Sequence, residues 1–352
     1  MRQDDHPEEK FYGNKGRKSE RKIASKTDRS KFKKTDLAKR ARKLDLETEK
    51  RTLRQDLLEG RVLSVLPQEI CVDCNGTLHL CTLKGKLKKE RMLVKNLVVV
   101  GDFVFFEKTG AIVEIEKRRS LLSRRGSHHT HKEQIVASNI DLVLITASCE
   151  SPLLDPSVID RFIIASQKGG MEPVIVINKV DLMKNEELYQ QCVATYQSLG
   201  LKVISVSALK NIGLDELKET MKNKASLFAG ASGVGKSSLI NAMTGLQLLT
   251  RQVTQKTQKG VHTTVGAKLI PLEFGGWCID SPGIQSFGLW DLQRSDLEHF
   301  FPEIFEIGTD CRYQDCTHVH EPKCAVLEAL HEGKISPLRY NSYKKLWNEL
   351  AK

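Results

Sequence analysis

Nine consecutive residues, Gly230-Ala231-Ser232-Gly233-Val234-Gly235-Lys236-Ser237-Ser238, combine backbone freedom with a cation and hydroxyls. The glycines let the chain curl so that successive N–H groups point at one anion, and a helix expected from Leu239 onward adds its positive end. The pattern predicts a phosphate-binding loop in which Lys236 reaches the β- and γ-phosphates of a nucleoside triphosphate and Ser237 ligates Mg2+. A base reader is expected at Asn178-Lys179-Val180-Asp181, which follows the apolar run 173–177. The Asp181 carboxylate can accept hydrogen bonds from guanine N1–H and N2–H2; adenine lacks both donors, so guanine is favoured. Ser207-Ala208, ending the next apolar run, offers a backbone N–H to the guanine carbonyl.

Two further segments complete a triphosphate site. Trp277-Cys278-Ile279 runs into Asp280-Ser281-Pro282-Gly283, where Asp280 would hold Mg2+ through water and the Gly283 N–H would meet the γ-phosphate. Within Gly260-Val261-His262-Thr263-Thr264, either Thr263 or Thr264 supplies a hydroxyl to Mg2+, and the residues do not decide which. Separately, Cys311, Cys316, His318 and Cys324 give three thiols and one imidazole within fourteen residues, the donor set of one tetrahedral Zn2+. Cys71, Cys74, His79 and Cys81 resemble a second set. Asn75-Gly76 predicts a hairpin there, however, and residues 71 and 74 of one strand face opposite sides, so these read as barrel residues.

The elements that must carry these residues fall into blocks. Residues 1–54 hold 19 Lys/Arg against 10 Asp/Glu, nine of the net +11 of the whole 352-residue chain, with few large apolar residues. Such an arm, drawn as residues 1–58, buries no core, is expected to be disordered, and suits a polyanion such as nucleic acid. Residues 59–117 read as five short alternating strands (61–66, 70–74, 77–83, 98–107 and 111–116), a small antiparallel barrel of the oligonucleotide-binding type. Beside it, the basic stretch 84–91 is compatible with RNA backbone contact. Residues 118–134, with four arginines and His128, His129 and His131, read as a basic linker. Residues 135–290 alternate strand with helix, as in a parallel sheet covered on both faces.

Base reader, phosphate loop and switch segments occur in that order, which is a circular permutation of a GTPase; the three-dimensional site survives if the original termini lay close together. Residues 291–352 form a mostly helical zinc-binding domain, with a capping box at Ser295-Asp296-Leu297-Glu298 and a helix begun by Ser336-Pro337. The stripe Tyr340, Tyr343, Leu346, Trp347 and Leu350 along that last helix is assigned to packing rather than RNA stacking. The fold class is therefore multidomain: β-barrel, circularly permuted α/β P-loop GTPase domain and helical zinc domain. Nine cysteines without a secretory leader point to a reducing, cytoplasmic setting, and no apolar run of 18 residues exists to span a membrane.

Barrel, permuted GTPase motifs and cysteine cluster in this order resemble the bacterial ribosome small subunit-dependent GTPase A family, RsgA or YjeQ, from about Glu59 to the C-terminus. The resemblance implies a GTPase of late 30S subunit maturation that uses GTP/GDP, Mg2+ and one Zn2+. It further implies contact with 16S rRNA, and hydrolysis stimulated by the small subunit and coupled to release; monomer is the simpler oligomeric state. Ile284 stands where many GTPases place the glutamine that orients water, so slow intrinsic hydrolysis is expected. His262, or Gln285 one position late, is the candidate replacement, with His262 favoured. Two rival readings are an RNA-binding adaptor whose GTP switch scarcely turns over and an ATP-dependent RNA-remodelling enzyme; Asp181 disfavours the second.

Overall fold

A computed structural model describes residues 56–85, 87, 97–125, 133–245, 267–280 and 292–350. The arm 1–55, most of the basic loop 84–91 and the three linker histidines lie outside the described residues.

The barrel forms from β1 (Leu58–Val65), β2 (Ile70–Cys74), β3 (Thr77–Leu83), β4 (Phe103–Phe106) and β5 (Ala111–Ile115). It closes in the order β1-β2-β3-β5-β4 with β4 returning to β1; four pairings are antiparallel and β3–β5 is parallel. Alternate side chains fill it, among them Val62, Ile70, Val72, Cys81, Val104, Phe106 and Ile112. Cys81 thus packs as a core residue, and among the described residues no cation ligand set forms around it.

The strand expected over 98–107 is shorter, because Gly101 takes a left-handed backbone (φ +92°) and Asp102 turns inward. The fully buried Asp102 carboxylate accepts Arg118 Nε (2.7 Å) and Nη2 (2.8 Å), Ser138 Oγ (2.6 Å) and the Val99 N–H (2.9 Å). Those partners correct the linker reading. Residues 121–125 and 133–138 are not a linker but paired antiparallel strands, β6 (Leu121–Arg125) and β7 (Glu133–Ser138). Leu122 and Ala137 of this pair join the core, but the arginines at 118, 119, 124 and 125 and the histidines between the strands make the stretch read as basic, so composition outweighed periodicity in the sequence.

The larger sheet continues with β8 (Leu142–Ser148), β9 (Glu172–Asn178), β10 (Lys202–Ser205), β11 (Ala225–Ala229), β12 (Lys268–Pro271) and β13 (Trp277–Asp280), ordered β10-β9-β8-β11-β13-β12. All pairings are parallel except β12–β13, and β12 also meets β1 antiparallel at Ser64↔Lys268, joining barrel and sheet. The pleat sends alternate residues to opposite cores. Val143, Ile145, Ile175, Ile177 and Leu227 pack on one face with α1 (Pro156–Lys168) and α2 (Glu186–Ser198). Leu142, Leu144, Val174, Val176 and Phe228 pack on the other with α3 (Leu214–Met221) and α4 (Lys236–Thr244).

The C-terminal module holds α5 (Arg294–Leu297), α6 (Pro302–Gly308), α7 (Ala325–His331) and α8 (Pro337–Glu349). The expected capping box is corrected: Gln293, not Ser295, precedes α5, and no side chain caps it. Ser295 Oγ instead bonds Asp296, as a short serine does when it lies inside the first turn. Ser336 and Pro337 do begin α8, and Tyr340, Tyr343 and Leu346 face the module's core. Among the described residues no helix is long and apolar enough to cross a membrane.

A buried ion cluster fastens α8 to the sheet's helices. Arg339, 3% exposed, pairs with the fully buried Asp160 of α1 and, at 2.6 Å, with Glu303 of α6, while its guanidinium lies 4.2 Å from the Phe301 ring centroid. Burial works against this charge, but Asp160 and Glu303 more than restore it and hold the guanidinium above its ordinary pKa. Removing one member strands the other in a dry site. Arg339→Met is therefore expected to destabilise the fold by about 3–5 kcal/mol in urea titration, with at least half recovered when Asp160→Asn is added; equal losses in both proteins would deny the cluster its role.

Candidate functional site

Four of the expected segments meet at the carboxyl ends of the parallel strands: β9 ends at Asn178, β10 leads to Ser207, β11 leads to Gly230 and β13 ends at Asp280. β8 and β11 are neighbours whose chains run outward to opposite sides, so the loop after β11 sits where the sheet order reverses, the usual crevice for ligands in such sheets.

The loop 230–235 owes its course to glycine. Gly230 (φ +140°) is so close to β8 that a Cβ would fall 2.1 Å from the Thr146 carbonyl oxygen, and one on Gly235 (φ +97°) would fall 2.3 Å from Asn178 Nδ2. Gly235 precedes α4 in a left-handed conformation, and no side chain caps the helix, so its first N–H groups remain available to an anion. Lys236 Nζ donates to the carbonyls of Gly230 (2.9 Å) and Ala231 (2.6 Å), folded over the loop it would share with phosphate. Burial lowers its pKa, and an incoming anion would oppose that shift.

Asn178, 2% exposed, joins three segments. Its Nδ2 donates to the Val234 carbonyl at 2.9 Å, and its Oδ1 accepts the Ala208 N–H at 3.3 Å. The Ala208 N–H offered above to a guanine carbonyl is thus already directed at Asn178. Lys179, left-handed at φ +62°, extends across the loop and donates to the carbonyls of Gly233 (2.8 Å), Glu150 (3.2 Å) and Ser151. Asp181 lies in the 3-10 turn Val180–Leu182, anchored by the Val180 N–H on the Val206 carbonyl (3.3 Å). Ser207 is fully buried; its Oγ accepts the Lys210 N–H (3.0 Å) and its backbone exchanges two hydrogen bonds with Ile212, bracing the loop that carries Ala208. Ser237 and Ser238 stand on the first turn of α4.

The candidates His262, Thr263 and Thr264, with Gly260 and Val261, lie outside the described residues, as do Ser281, Pro282, Gly283, Ile284 and Gln285. For Asp280 the backbone is placed, at the end of β13 opposite Lys268.

In the C-terminal module the donor atoms of Cys311, Cys316, His318 and Cys324 lie within 4.8 Å of one another. His318 Nδ1 is 3.5 Å from both Cys311 Sγ and Cys324 Sγ, and those sulfurs are 3.8 Å apart. Tetrahedral zinc, with bonds of about 2.3 Å to sulfur and about 2.0 Å to nitrogen, requires edges of about 3.8 Å and about 3.5 Å. The donor set therefore fits that ion. Burial and the neighbouring sulfurs push the Cys316 thiol to about 12, and a bound cation would displace its proton.

Three supports were not read from sequence. Glu298 Oε2 lies 3.5 Å from the buried far nitrogen of His318, which has no hydrogen-bond partner among the described residues. Glu321 accepts the N–H groups of Thr317 (3.0 Å), Val319 (3.1 Å) and His320 (3.2 Å), closing the loop between ligands. Tyr340 and Tyr343 hydroxyls donate to the carbonyls of His318 (3.0 Å) and Thr317 (3.2 Å). The tyrosine stripe carried a signal for this, since a buried phenol needs a partner for its hydroxyl; the carboxylates had none.

Known proteins share this architecture. The family model for RsgA GTPase matches residues 115–290. "Small ribosomal subunit biogenesis GTPase RsgA" of Flavobacterium psychrophilum is 38% identical over 278 residues, covering 76% of this chain and 85% of the relative. The protein of that name from Bacteroides fragilis is 37% identical over 276 residues, covering 76% and 89%. Among solved structures, YjeQ from Thermotoga maritima covers 84% of this chain and 99% of its own at 32% identity and a TM-score of 0.67. YloQ, described as a circularly permuted GTPase, covers 85% and 96% at 25% identity and 0.64. Matched over half its length by the family model and over three quarters by relatives 38% and 37% identical to it, the chain belongs to the RsgA GTPase family.

Proposed function

We propose that this protein hydrolyses GTP during maturation of the small ribosomal subunit, engaging the 30S particle through its rRNA in the triphosphate state and leaving after hydrolysis. The names of its relatives support the biological setting. The observation that carries the enzymology is the Asn178 carboxamide, which ties the base-reading segment to the phosphate loop. The same reading makes the protein cytoplasmic and monomeric, with domains at 59–117, 135–290 and 291–352 preceded by the basic arm.

In this reading Asp181 reads guanine, Ser207 and Ala208 shape the base pocket, and Asn178 and Lys179 brace it. Gly230 to Gly235 wrap the phosphates, and Lys236 leaves its carbonyl partners to neutralise the β/γ bridge. Ser237, Thr263 or Thr264, and Asp280 through water would hold Mg2+, which when bound neutralises charge on the transferring phosphoryl group. Gly283 meets the γ-phosphate. Cys311, Cys316, His318 and Cys324 hold one structural Zn2+, with no open position for chemistry.

Turnover of radiolabelled GTP with and without 30S particles tests the whole. Slow release of phosphate alone and a rise of at least about tenfold with subunits are expected, together with loss of most of that rise in His262→Ala at unchanged GTP affinity. Turnover that stays at the free-protein rate would leave an RNA-binding adaptor with a GTP switch. In Asp181→Asn the amide presents a donor where guanine N2–H2 also donates, so GTP affinity should fall at least about 100-fold. Xanthosine triphosphate, with a carbonyl there, should be preferred in a competition assay; retained guanine selectivity would remove Asp181 from the base pocket. For the metal, the protein as purified should contain one zinc per chain, and Glu298→Gln should weaken zinc about 10–100-fold in competition with a chromophoric chelator. Undiminished affinity would leave Glu298 a bystander.

A further inference from the structure

At the opposite end of the parallel sheet, roughly 15–20 Å or one strand length from the phosphate loop, a cavity of about 600 Å3 opens between barrel and sheet. Arg61 of β1 and Phe103 of β4 wall it from the barrel; Arg119, Asp141, Glu172 and Lys224 wall it from the other side. The nucleotide reading uses none of these residues.

Its lining carries three cations, Arg61, Arg119 and Lys224, against two carboxylates, Asp141 and Glu172. Glu172 is taken by Lys224 at 3.4 Å, and Asp141 Oδ2 accepts the Ala225 N–H at 2.8 Å. Arg61 and Arg119 have no contact ion pair among the described residues. Arg61 is only 9% exposed, lies 5.0 Å from the Phe103 ring centroid and 5.8 Å from that of Trp277, and gives Nη2 to the Asn139 carbonyl at 2.6 Å. Its Nε is buried without a hydrogen-bond partner. Burial drags this guanidinium down to about 10, Asp141 opposing the shift and Arg119 adding to it. Arg119, exposed, approaches the same Phe103 ring at 5.9 Å, its backbone N–H held by Asn139 Oδ1 at 2.9 Å. Two forked cations therefore share one aromatic ring at the mouth of a nucleotide-sized cleft, and the buried one has no contact ion pair among the described residues, Asp141 acting on it only from a distance.

We propose that this seam is a second anion site, distinct from the GTP pocket, which takes a phosphate group carried on a nucleoside, with Arg61 and Arg119 holding the phosphate and Phe103 lying against the attached ring system. A phosphate offers several oxygens to two guanidinium forks, which a single carboxylate does not. The phosphate is that of a free nucleotide or of a nucleotide within RNA, and both present the same chemistry to the cleft.

The full chain, first saturated with GDP and Mg2+ so that the phosphate loop is filled, is titrated with adenosine 5′-monophosphate and, separately, with a single-stranded hexaribonucleotide, by calorimetry and by the emission of Trp277 and its fellow tryptophans. Saturable binding of either probe below about 1 mM is expected, weakened at least about fivefold in Arg119→Ser and in Arg61→Lys, with GDP affinity unchanged. The Arg119 side chain is exposed, so its loss should leave the fold and thermal midpoint intact even where the Arg61 variant unfolds. Monophosphate binding that fades in the variants assigns the cleft to a free nucleotide, and hexanucleotide binding alone that fades assigns it to RNA. No saturable binding of either probe, or binding untouched by Arg119→Ser, would overturn the site.

Discussion

The Asn178 side chain joins in one amide three segments that lie far apart in the chain. Its Nδ2 reaches the carbonyl of Val234, 56 residues ahead in sequence, and its Oδ1 holds the N–H of Ala208 between them. Both partners are backbone groups, so the link is independent of the side chains at those positions. It is also intolerant of anything between them: a single methyl on Gly235 would strike Nδ2 at 2.3 Å. Asparagine is required because only a carboxamide of this length both donates and accepts. Aspartate would leave the Val234 carbonyl facing a charge, and leucine would orphan two buried polar groups.

Permutation costs the site little because the sheet, rather than the chain order, brings its parts together. β8, β9, β10 and β11 are parallel, each with its carboxyl end on the same edge, so every loop emerging there enters the same crevice whichever strand is made first. Between the base-reading strands and the phosphate loop the chain runs from β10 through α3 to β11, with Leu214, Leu217 and Met221 packed against the sheet. A helix of eight residues with three of them buried suffices, since it covers sheet surface that needs covering in any order.

Much of this was legible in the sequence wherever one physical constraint acted on consecutive residues. The β-branched run 173–177 can only be a strand buried on both faces, and its end at Asn178 follows from the first polar residue. The strands 70–74 and 77–83 fall where Asn75-Gly76 demands a two-residue turn, Asn75 adopting φ +51° and Gly76 φ +83°. Cysteine spacing likewise reported a cluster whose donors do converge. Illegible were the features that depend on pairs remote in sequence. Asp102 and Arg118 look like two unremarkable surface charges, yet burial against Ser138 makes them the joint between the barrel and the β6–β7 pair. The β6–β7 pair was lost for a related reason: its cations are on the text of the strand, whereas the contacts that order it, through Leu122, Ala137 and the Ser138 N–H on the Val100 carbonyl, lie elsewhere.

The hairpin β12–β13 gives the two expected switch segments a mechanical setting. One precedes β12 and the other follows β13, so the hairpin lies between them in the chain. Its β13 edge is bound to β11, which carries the phosphate loop, and its β12 edge is bound to the barrel at Ser64. After the second segment the chain enters α5 and the turn containing Glu298, beside His318 of the cysteine cluster. The barrel is thus reached from the nucleotide edge through hydrogen-bonded strands, and the helical module through covalent chain and the Arg339 ion cluster. A strand ladder resists shear and transmits small displacements. Reorganisation around a γ-phosphate would therefore act on the barrel through β12 and β13, while the buried pair Asp160–Arg339 attaches the helical module to α1.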